Sequence, residues 1–343
     1  MSFRQYSKQV YDVLEDPAMA KMWRRRRIVS RLLEKYGIND QRSQSWHQKR
    51  GEMITASEVT KAFKTATPSA RREIMLKKVE GAKPGEGGGM NTACAWGTQF
   101  EPVAKYLYCK MNGGGSVIDT SCVVHPKHPF LGASPDGIYF AMDPTDPRWG
   151  KLIEFKCPIS RKFDETTPIP DAYYHQMQMQ MECTDIDECD YVEMRFATFT
   201  KTDWLAHDAP FKGRFAVYDE GFVDYDNENC QFWRARLLEH GEDYRVVHWV
   251  LANWRVSTVP RDFNWLKDHI EEFESFWEEV QNHKRNGTVP IKEEKALRLC
   301  DPPTDSHDVP SSPPVEGAAN QETPGDSSSV HKKNSTTLQF CLT

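Results

Sequence analysis

Three side chains near the middle of the chain have the types and spacing needed to hydrolyse a phosphodiester. Asp136 sits in Leu131-Gly132-Ala133-Ser134-Pro135-Asp136-Gly137-Ile138, and Glu154 and Lys156 lie two residues apart in Lys151-Leu152-Ile153-Glu154-Phe155-Lys156-Cys157. In a strand, alternate side chains share a face, so Glu154 and Lys156 point one way and Ile153, Phe155 and Cys157 the other. The loop from Asp143 to Gly150 is rich in Asp, Pro and Gly and can return the chain beside Asp136. Two carboxylates and an ammonium in apolar surroundings are costly without a task. Metal-assisted hydrolysis is such a task. Mg²⁺, with Mn²⁺ as a substitute, takes oxygen ligands, often one or two carboxylates plus waters and substrate oxygens. Asp136 and Glu154 are the candidate metal ligands, with the Phe155 carbonyl as a third. Lys156 would orient or deprotonate the attacking water and offset the charge that develops on phosphorus. An acid-x-Lys pair in an apolar strand is common by itself, and Asp136 at this separation makes it moderately specific.

The elements that position these residues sit in a chain of 343 residues, long enough for one large domain or two. The formal net charge of −6 conceals an asymmetry: residues 1–110 hold 21 Lys/Arg against 11 Asp/Glu, and residues 111–287 hold 18 against 31. A basic front third beside an acidic remainder suits a protein that grips phosphate at one place and cations at another. Uneven but solvated surface charge is the plainer reading. Nine cysteines without a CxxC pair argue against a structural zinc or iron–sulfur site. With no signal peptide or long apolar span, reduced thiols in an intracellular setting, nucleus or cytoplasm, are expected and a membrane partner is not.

Residues 1–40 read as helical, and their run Arg24-Arg25-Arg26-Arg27 reads first as a solvated helix face, with DNA backbone contact or nuclear targeting as the alternatives. Thr55-Ala56-Ser57-Glu58 looks like a capping box opening a short helix to Phe63, and another helix is expected from Pro68 to Val79. Lys83 to Thr92 is a glycine-rich loop without a P-loop ending. A helix is expected over 97–110 on the stripe Phe100, Val103, Ala104, Leu107, then strands at 116–125, 130–140 and 150–157. Ala172 to Cys183 reads as a helix in which Gln and Met alternate, and 191–199 as a strand; periodicity leaves 245–251 as helix or strand. Arg261 to His283 is the clearest helix, with Phe263, Leu266, Ile270, Phe273, Trp277 and Val280 at core spacing. From 288 onward Pro, Ser, Thr, Asp and Glu dominate, so 288–343 is expected to be a disordered tail ending in a candidate docking motif at 338–342.

The order Ser-Pro-Asp-Gly, Glu-Phe-Lys-Cys-Pro, then Gln-Met-Gln resembles the lambda-exonuclease, or YqaJ viral recombinase, branch of the PD-(D/E)xK nucleases. Ser45-Trp46-His47-Gln48-Lys49-Arg50-Gly51 with Ile54-Thr55-Ala56-Ser57-Glu58 resembles its opening motif, and Trp96-Gly97-Thr98-Gln99-Phe100-Glu101 its acidic helix. The resemblance covers roughly the first 200 residues. It implies an α/β fold with a mixed central sheet flanked by helices, a core at about 45–200, and an elaboration over 201–287 within one nuclease domain of 1–287. It implies that Asp136, Glu154 and Lys156 are catalytic, that Glu101 binds metal directly or through water, and that Gln176 serves near the reacting water or a substrate phosphate. It also implies that Arg50 and Ser57 hold a 5′-terminal phosphate, with Ser134 and Gln178 as further DNA contacts. Each role has a structural rival: a surface ion-pair network for the triad, a Thr98–Glu101 capping box, Ser57 as a helix cap with Arg50 as a surface charge, and a solvated face for the glutamines. His175 reads as incidental.

The expected activity is that of a Mg²⁺-dependent deoxyribonuclease resecting duplex DNA ends in the 5′-to-3′ direction, leaving a 3′ strand for an annealing protein. Some relatives assemble as ring-shaped trimers, so a homo-oligomer is implied; the chain departs from the family pattern after residue 200. An endonuclease sharing the metal centre and a non-catalytic recombination scaffold are the alternatives. The tryptophans after residue 200 read as core rather than as base-stacking platforms.

Overall fold

The strand carrying Glu154 and Lys156 is the third in a seven-stranded mixed sheet. In chain order the strands are β1 (Ile54–Thr55), β2 (Ser116–Ile118), β3 (Val123–Val124), β4 (Leu131–Ala133), β5 (Gly137–Phe140), β6 (Leu152–Lys156), β7 (Glu188–Phe199), β8 (Lys212–Tyr218), β9 (Val223–Asp226) and β10 (Tyr244–Pro260). The helices are α1 (Pro17–Tyr36), α2 (Gln44–Gly51), α3 (Val59–Ala62, after a 3₁₀ turn at Ala56–Glu58), α4 (Pro68–Glu80), α5 (Thr92–Met111), α6 (Asp171–Thr184), α7 (Lys201–Ala206), α8 (Trp233–Glu239) and α9 (Trp265–Asn286). The computed structural model describes residues 16–37, 43–81, 92–219, 221–228, 230–239 and 243–291. The start of the expected N-terminal helix, most of the glycine-rich stretch, and residues 292–343 of the expected tail with its docking motif lie outside these residues; the described start of that tail is packed, since Pro290 is buried and its carbonyl accepts from Arg72 Nε (3.0 Å). All described residues belong to one compact unit, Met1–Glu293.

The large sheet has the order β2-β5-β6-β7-β10-β8-β9, with β6 parallel to β7 and every other pairing antiparallel. A second sheet of three strands, β1-β4-β3, pairs Ile54 with Leu131 in parallel and Val123 with Ala133 antiparallel. The expected strands at 116–125 and 130–140 therefore each split between two sheets. The second split falls at Ser134-Pro135-Asp136, where proline removes a donor and breaks the ladder. Gly137 follows because β2 crosses closely there: a Cβ would collide with Val117 Cγ1.

Helices cover both faces of β6, so its apolar positions read as a run. Ile153 and Phe155 pack with Phe100, Val103, Ala104 and Leu107 of α5, and Leu152 packs with Met177 and Met181 of α6 and Ile28 and Val29 of α1. Helix α6 also turns Met179 and Cys183 toward β4 and α3. It is apolar on two sides because it lies between two sheets.

Three readings of the sequence are corrected, and one left open is resolved. Arg25 is buried rather than solvated, and its guanidinium donates to Asp187 (2.8 Å), Glu188 (2.6 Å) and the Pro147 carbonyl (2.7 Å). Arg24 pairs with Asp185. Part of the basic front third is thus spent on the acidic remainder, as a docking run. The Thr55 capping box does not form: its hydroxyl donates to the Glu58 carboxylate (2.6 Å) and accepts no backbone N–H of the following turn, and the segment opens as a 3₁₀ turn. Phe263 lies before α9 and is exposed; the buried stripe begins at Trp265 and continues through Phe273, Phe276 and Val280. Residues 245–251 lie in β10, which pairs with β7 from Glu188 to Phe199 and so places a segment after residue 200 inside the sheet.

Trp204, Trp233, Trp249 and Trp265 are buried, Trp277 packs against the α4–α9 core, and Trp254 is exposed on β10. No described helix is long and apolar enough to cross a membrane.

Candidate active site

Glu154 has no solvent exposure, yet it sits at the centre of a polar cluster. The Lys156 ammonium pairs with Glu154 Oε1. Gln176 Nε2 donates to the same oxygen (2.8 Å) and Gln180 Nε2 donates to Oε2 (2.7 Å). Asp136 lies across the β5–β6 pairing, where Gly137 opposes Ile153, and its Oδ2 accepts from the Phe155 amide (2.8 Å). The alternation of a strand puts Glu154 and Lys156 on the face covered by α6, as the spacing predicts.

Glu101 reaches the cluster from α5, in the layer on the other side of the sheet. Its carboxylate pairs with Lys105 (2.7 Å), which also holds Asp119 (2.7 Å). Thr98 lies inside α5, which begins at Thr92, so the Thr98–Glu101 capping box is ruled out.

The electrostatics follow from crowding. Burial raises the Asp136 carboxyl well above the ordinary carboxylate range, and the charges of Glu154 and Glu101 push it the same way. Burial alone would lower Lys156, but Glu154 and Asp136 overcome it and hold the ammonium above its usual value. Four acids (Glu101, Asp119, Asp136, Glu154) face two lysines (Lys105, Lys156). With the acids ionised the cluster is short of positive charge, and its donors are all oxygens.

That donor set fits Mg²⁺ or Mn²⁺. Among the described residues no three His, Cys, Asp or Glu side chains form a closed metal cage. Mg²⁺ does not ask for one: it keeps several waters and uses a carboxylate or two with substrate phosphates. Asp136, Glu154 and the Phe155 carbonyl are the residues that would hold it, with Glu101 beyond them.

A second polar cluster forms around Arg50 on α2. Its guanidinium lies 4.3 Å from the centre of the Trp46 ring and donates to Ser57 Oγ (3.0 Å) and Thr55 Oγ1 (3.3 Å). Trp46 Nε1 donates to Ser134 Oγ (2.9 Å), so Arg50, Ser57 and Ser134 share one site. Lys78, buried on α4, donates to Glu58 (2.7 Å) and to the Arg50 carbonyl (2.9 Å). Burial lowers both Arg50 and Lys78, and Glu58 is the carboxylate that opposes this for each. Ser57 does not cap a helix; it lies within a three-residue 3₁₀ turn and its exposed hydroxyl faces Arg50.

Gln178 is not brought to either cluster. Its amide donates to the Pro260 carbonyl (3.0 Å) and accepts from the Asp262 amide (2.8 Å), tying α6 to the end of β10. Two residues along a helix turn a side chain to the opposite side, whereas four return it to the same face. Gln180, four after Gln176, is therefore the glutamine at the site, and helical spacing was the available signal. His175 accepts from Trp265 Nε1 (2.8 Å), away from the acids.

Two further groups beside Lys156 carried no sequence signal. Tyr173 places its ring 4.7 Å from Lys156 Nζ and 5.4 Å from the Arg161 guanidinium. Arg161 pairs with buried Glu193, which stands in register with Lys156 on β7 and is also held by Arg255 of β10.

Residues 45–187, which contain both clusters, match the family model of the YqaJ-like viral recombinase domain. An uncharacterized protein of Acanthamoeba polyphaga mimivirus is 25% identical over 186 residues, 52% of this chain; the chain spans 33% of that protein's length. Among solved structures, an alkaline exonuclease from Laribacter hongkongensis is similar with 20% identity and a TM-score of 0.44, over 71% of this chain and 95% of the other. A phage related exonuclease from Haemophilus somnus is similar with 19% identity and a TM-score of 0.35, over 71% of this chain and 93% of the other.

Proposed function

We propose that this chain, whose residues 45–187 match the model of the YqaJ-like viral recombinase domain, is a metal-dependent deoxyribonuclease that resects duplex DNA from 5′-phosphorylated ends. The observation that carries the reading is a connection of two residues. Ser134 belongs to the Arg50 cluster and Asp136 to the acidic cluster, so Pro135 alone separates an anion-seeking site from a cation-seeking one. A terminal phosphate and a scissile phosphate lie one nucleotide apart on a strand, and the paired sites suit that arrangement.

When bound, Mg²⁺ would neutralise charge on the scissile phosphate and acidify a water. The chain's own residues do the rest. Lys156, kept protonated by Glu154 and Asp136, orients the water and offsets the charge that builds on phosphorus; this favours orientation over deprotonation as its role. Arg50, pressed against Trp46, offers its guanidinium fork to the terminal phosphate, with the Ser57 and Ser134 hydroxyls beside it. Water adds to phosphorus, the bond to the 3′ oxygen breaks, and that oxygen leaves with a proton. The remaining 3′ strand would pass to an annealing protein in recombination or viral DNA processing. The nuclease domain extends to 287, taking in β8 to β10, which complete the sheet, and α9, and we place a homo-oligomer among the expected assemblies.

The test offers protein and Mg²⁺ to linear duplex with 5′-phosphate, linear duplex with 5′-hydroxyl, and covalently closed circles. Preference for the first supports the proposal. Cutting of circles would move it to an endonuclease, and DNA retention without digestion in Mg²⁺ or Mn²⁺ would leave a scaffold.

A further inference from the structure

We infer that Gln180 is a positioning residue that fixes the Glu154 carboxylate for metal binding, acting opposite Gln176. The inference rests on the metal-dependent reading above. Gln176 and Gln180 stand one helical turn apart on α6, and each donates its amide to a different oxygen of Glu154, at 2.8 and 2.7 Å. With Lys156 also on Oε1, the carboxylate is held from three directions. It cannot rotate about its last bond without breaking three charge-assisted hydrogen bonds at once.

Packing does not explain this glutamine. Gln180 has no solvent exposure, and its Oε1 has no hydrogen-bond partner. A buried amide carbonyl without a donor is disfavoured, and few persist in folded proteins. The neighbouring positions Met177, Met179 and Met181 are all fully buried, so this helix already fills its surroundings with methionine. A methionine at 180 would have nearly the same volume and leave no unpaired oxygen. What it would not supply is the donor to Glu154 Oε2. Gln178 is the internal contrast: its amide is satisfied at both ends by the backbone near Pro260 and Asp262, a structural tie remote from Glu154.

The task of such a donor is to choose which lone pairs of Glu154 remain for a cation. Groups that orient metal ligands in this way typically change metal affinity or activity about 10–100-fold when removed. Gln180→Met should therefore raise the Mg²⁺ concentration for half-maximal cleavage by about 10–100-fold. Calorimetric Mn²⁺ binding to the DNA-free protein should weaken in parallel. Retention of 5′-phosphorylated duplex in chelator should stay at the wild-type level, because the Arg50 cluster is untouched. Gln178→Met should lower the thermal midpoint and leave both metal measurements unchanged.

Gln180→Asn keeps the amide but withdraws it by one methylene. It should shift the metal titration in the same direction, which keeps the test decisive should the methionine variant fail to fold. Wild-type Mn²⁺ isotherms in both Gln180 variants would overturn the inference. A wild-type protein that binds no Mn²⁺ and cleaves nothing in any metal would instead overturn the functional reading beneath it.

Discussion

The acidic cluster around Glu154 and the basic cluster around Arg50 face opposite electrostatic problems a few residues apart. In the first, burial and neighbouring acids raise Asp136, and Lys156 rises in response. In the second, burial lowers Arg50 and Lys78, while Lys78 overrides burial to hold Glu58 below the usual carboxylate range. The first is short of cations and the second is short of anions. A divalent ion and a phosphate together satisfy both, which neither does alone. The contrast teaches that the two sites are separable in chemistry although one strand connection joins them.

The strongest way to break the comparison is to remove the charge that answers the acids. Lys156→Ala should reduce cleavage by about 10²–10³-fold while duplex with a 5′-phosphate is still retained in chelator. Loss of both together would merge the two sites into one. Next, Arg50→Ala should remove the preference for 5′-phosphate over 5′-hydroxyl ends, about 10–100-fold given the strength of hydrogen bonds to charged groups, with slow Mg²⁺-dependent cleavage remaining. Competition between the two ends in one reaction measures it, and an undiminished preference would remove Arg50 from end recognition.

A smaller effect concerns stability. The folded protein raises the Asp136 pKa, so the folded state binds its proton more tightly than the unfolded chain does. Its contribution is favourable below the unfolded value of about 3.9 and declines as pH rises from there through the folded value. Asp136→Asn should remove that part of the slope. At neutral pH it should raise the metal-free melting temperature by about 2–4 °C, the size expected for about 1 kcal/mol in a domain this large. Scanning calorimetry in chelator, from the unfolded value of about 3.9 up to neutral pH, would show it, and an unchanged or lower midpoint would mean that Asp136 is not under electrostatic pressure.

The smallest change probes the link. Ser134→Ala deprives Trp46 Nε1 of its acceptor and should weaken the 5′-phosphate preference by about 2–5-fold, the worth of one modest hydrogen bond. The Mg²⁺ titration should not move.

Much of this was legible because short-range rules govern it. Period two put Glu154 and Lys156 on one face of β6, and period three to four marked α5 and α9. The errors came where a partner distant in the chain decides. Arg25 looks like surface until Asp187 and Glu188 arrive opposite it. Phe263 fits the stripe of α9, but that helix starts two residues later. Gln178 is an error of another kind: it lies in the alternating Gln–Met run beside Gln176, and the helix turn, a local rule, sends it toward Pro260 and Gln180 toward Glu154.

By itself the sequence determined the local chemistry: which acids and lysine share a strand face, where proline and glycine must break it, and which helices carry an apolar stripe. These depend on neighbours within a few residues, where side-chain direction follows from backbone period. Tertiary structure alone decided what those groups feel. It buried Glu154 between two glutamines, brought Glu101 from the opposite layer, and set Ser134 against Trp46. Charge energies depend on distance through space and on burial, and neither is written in the order of residues.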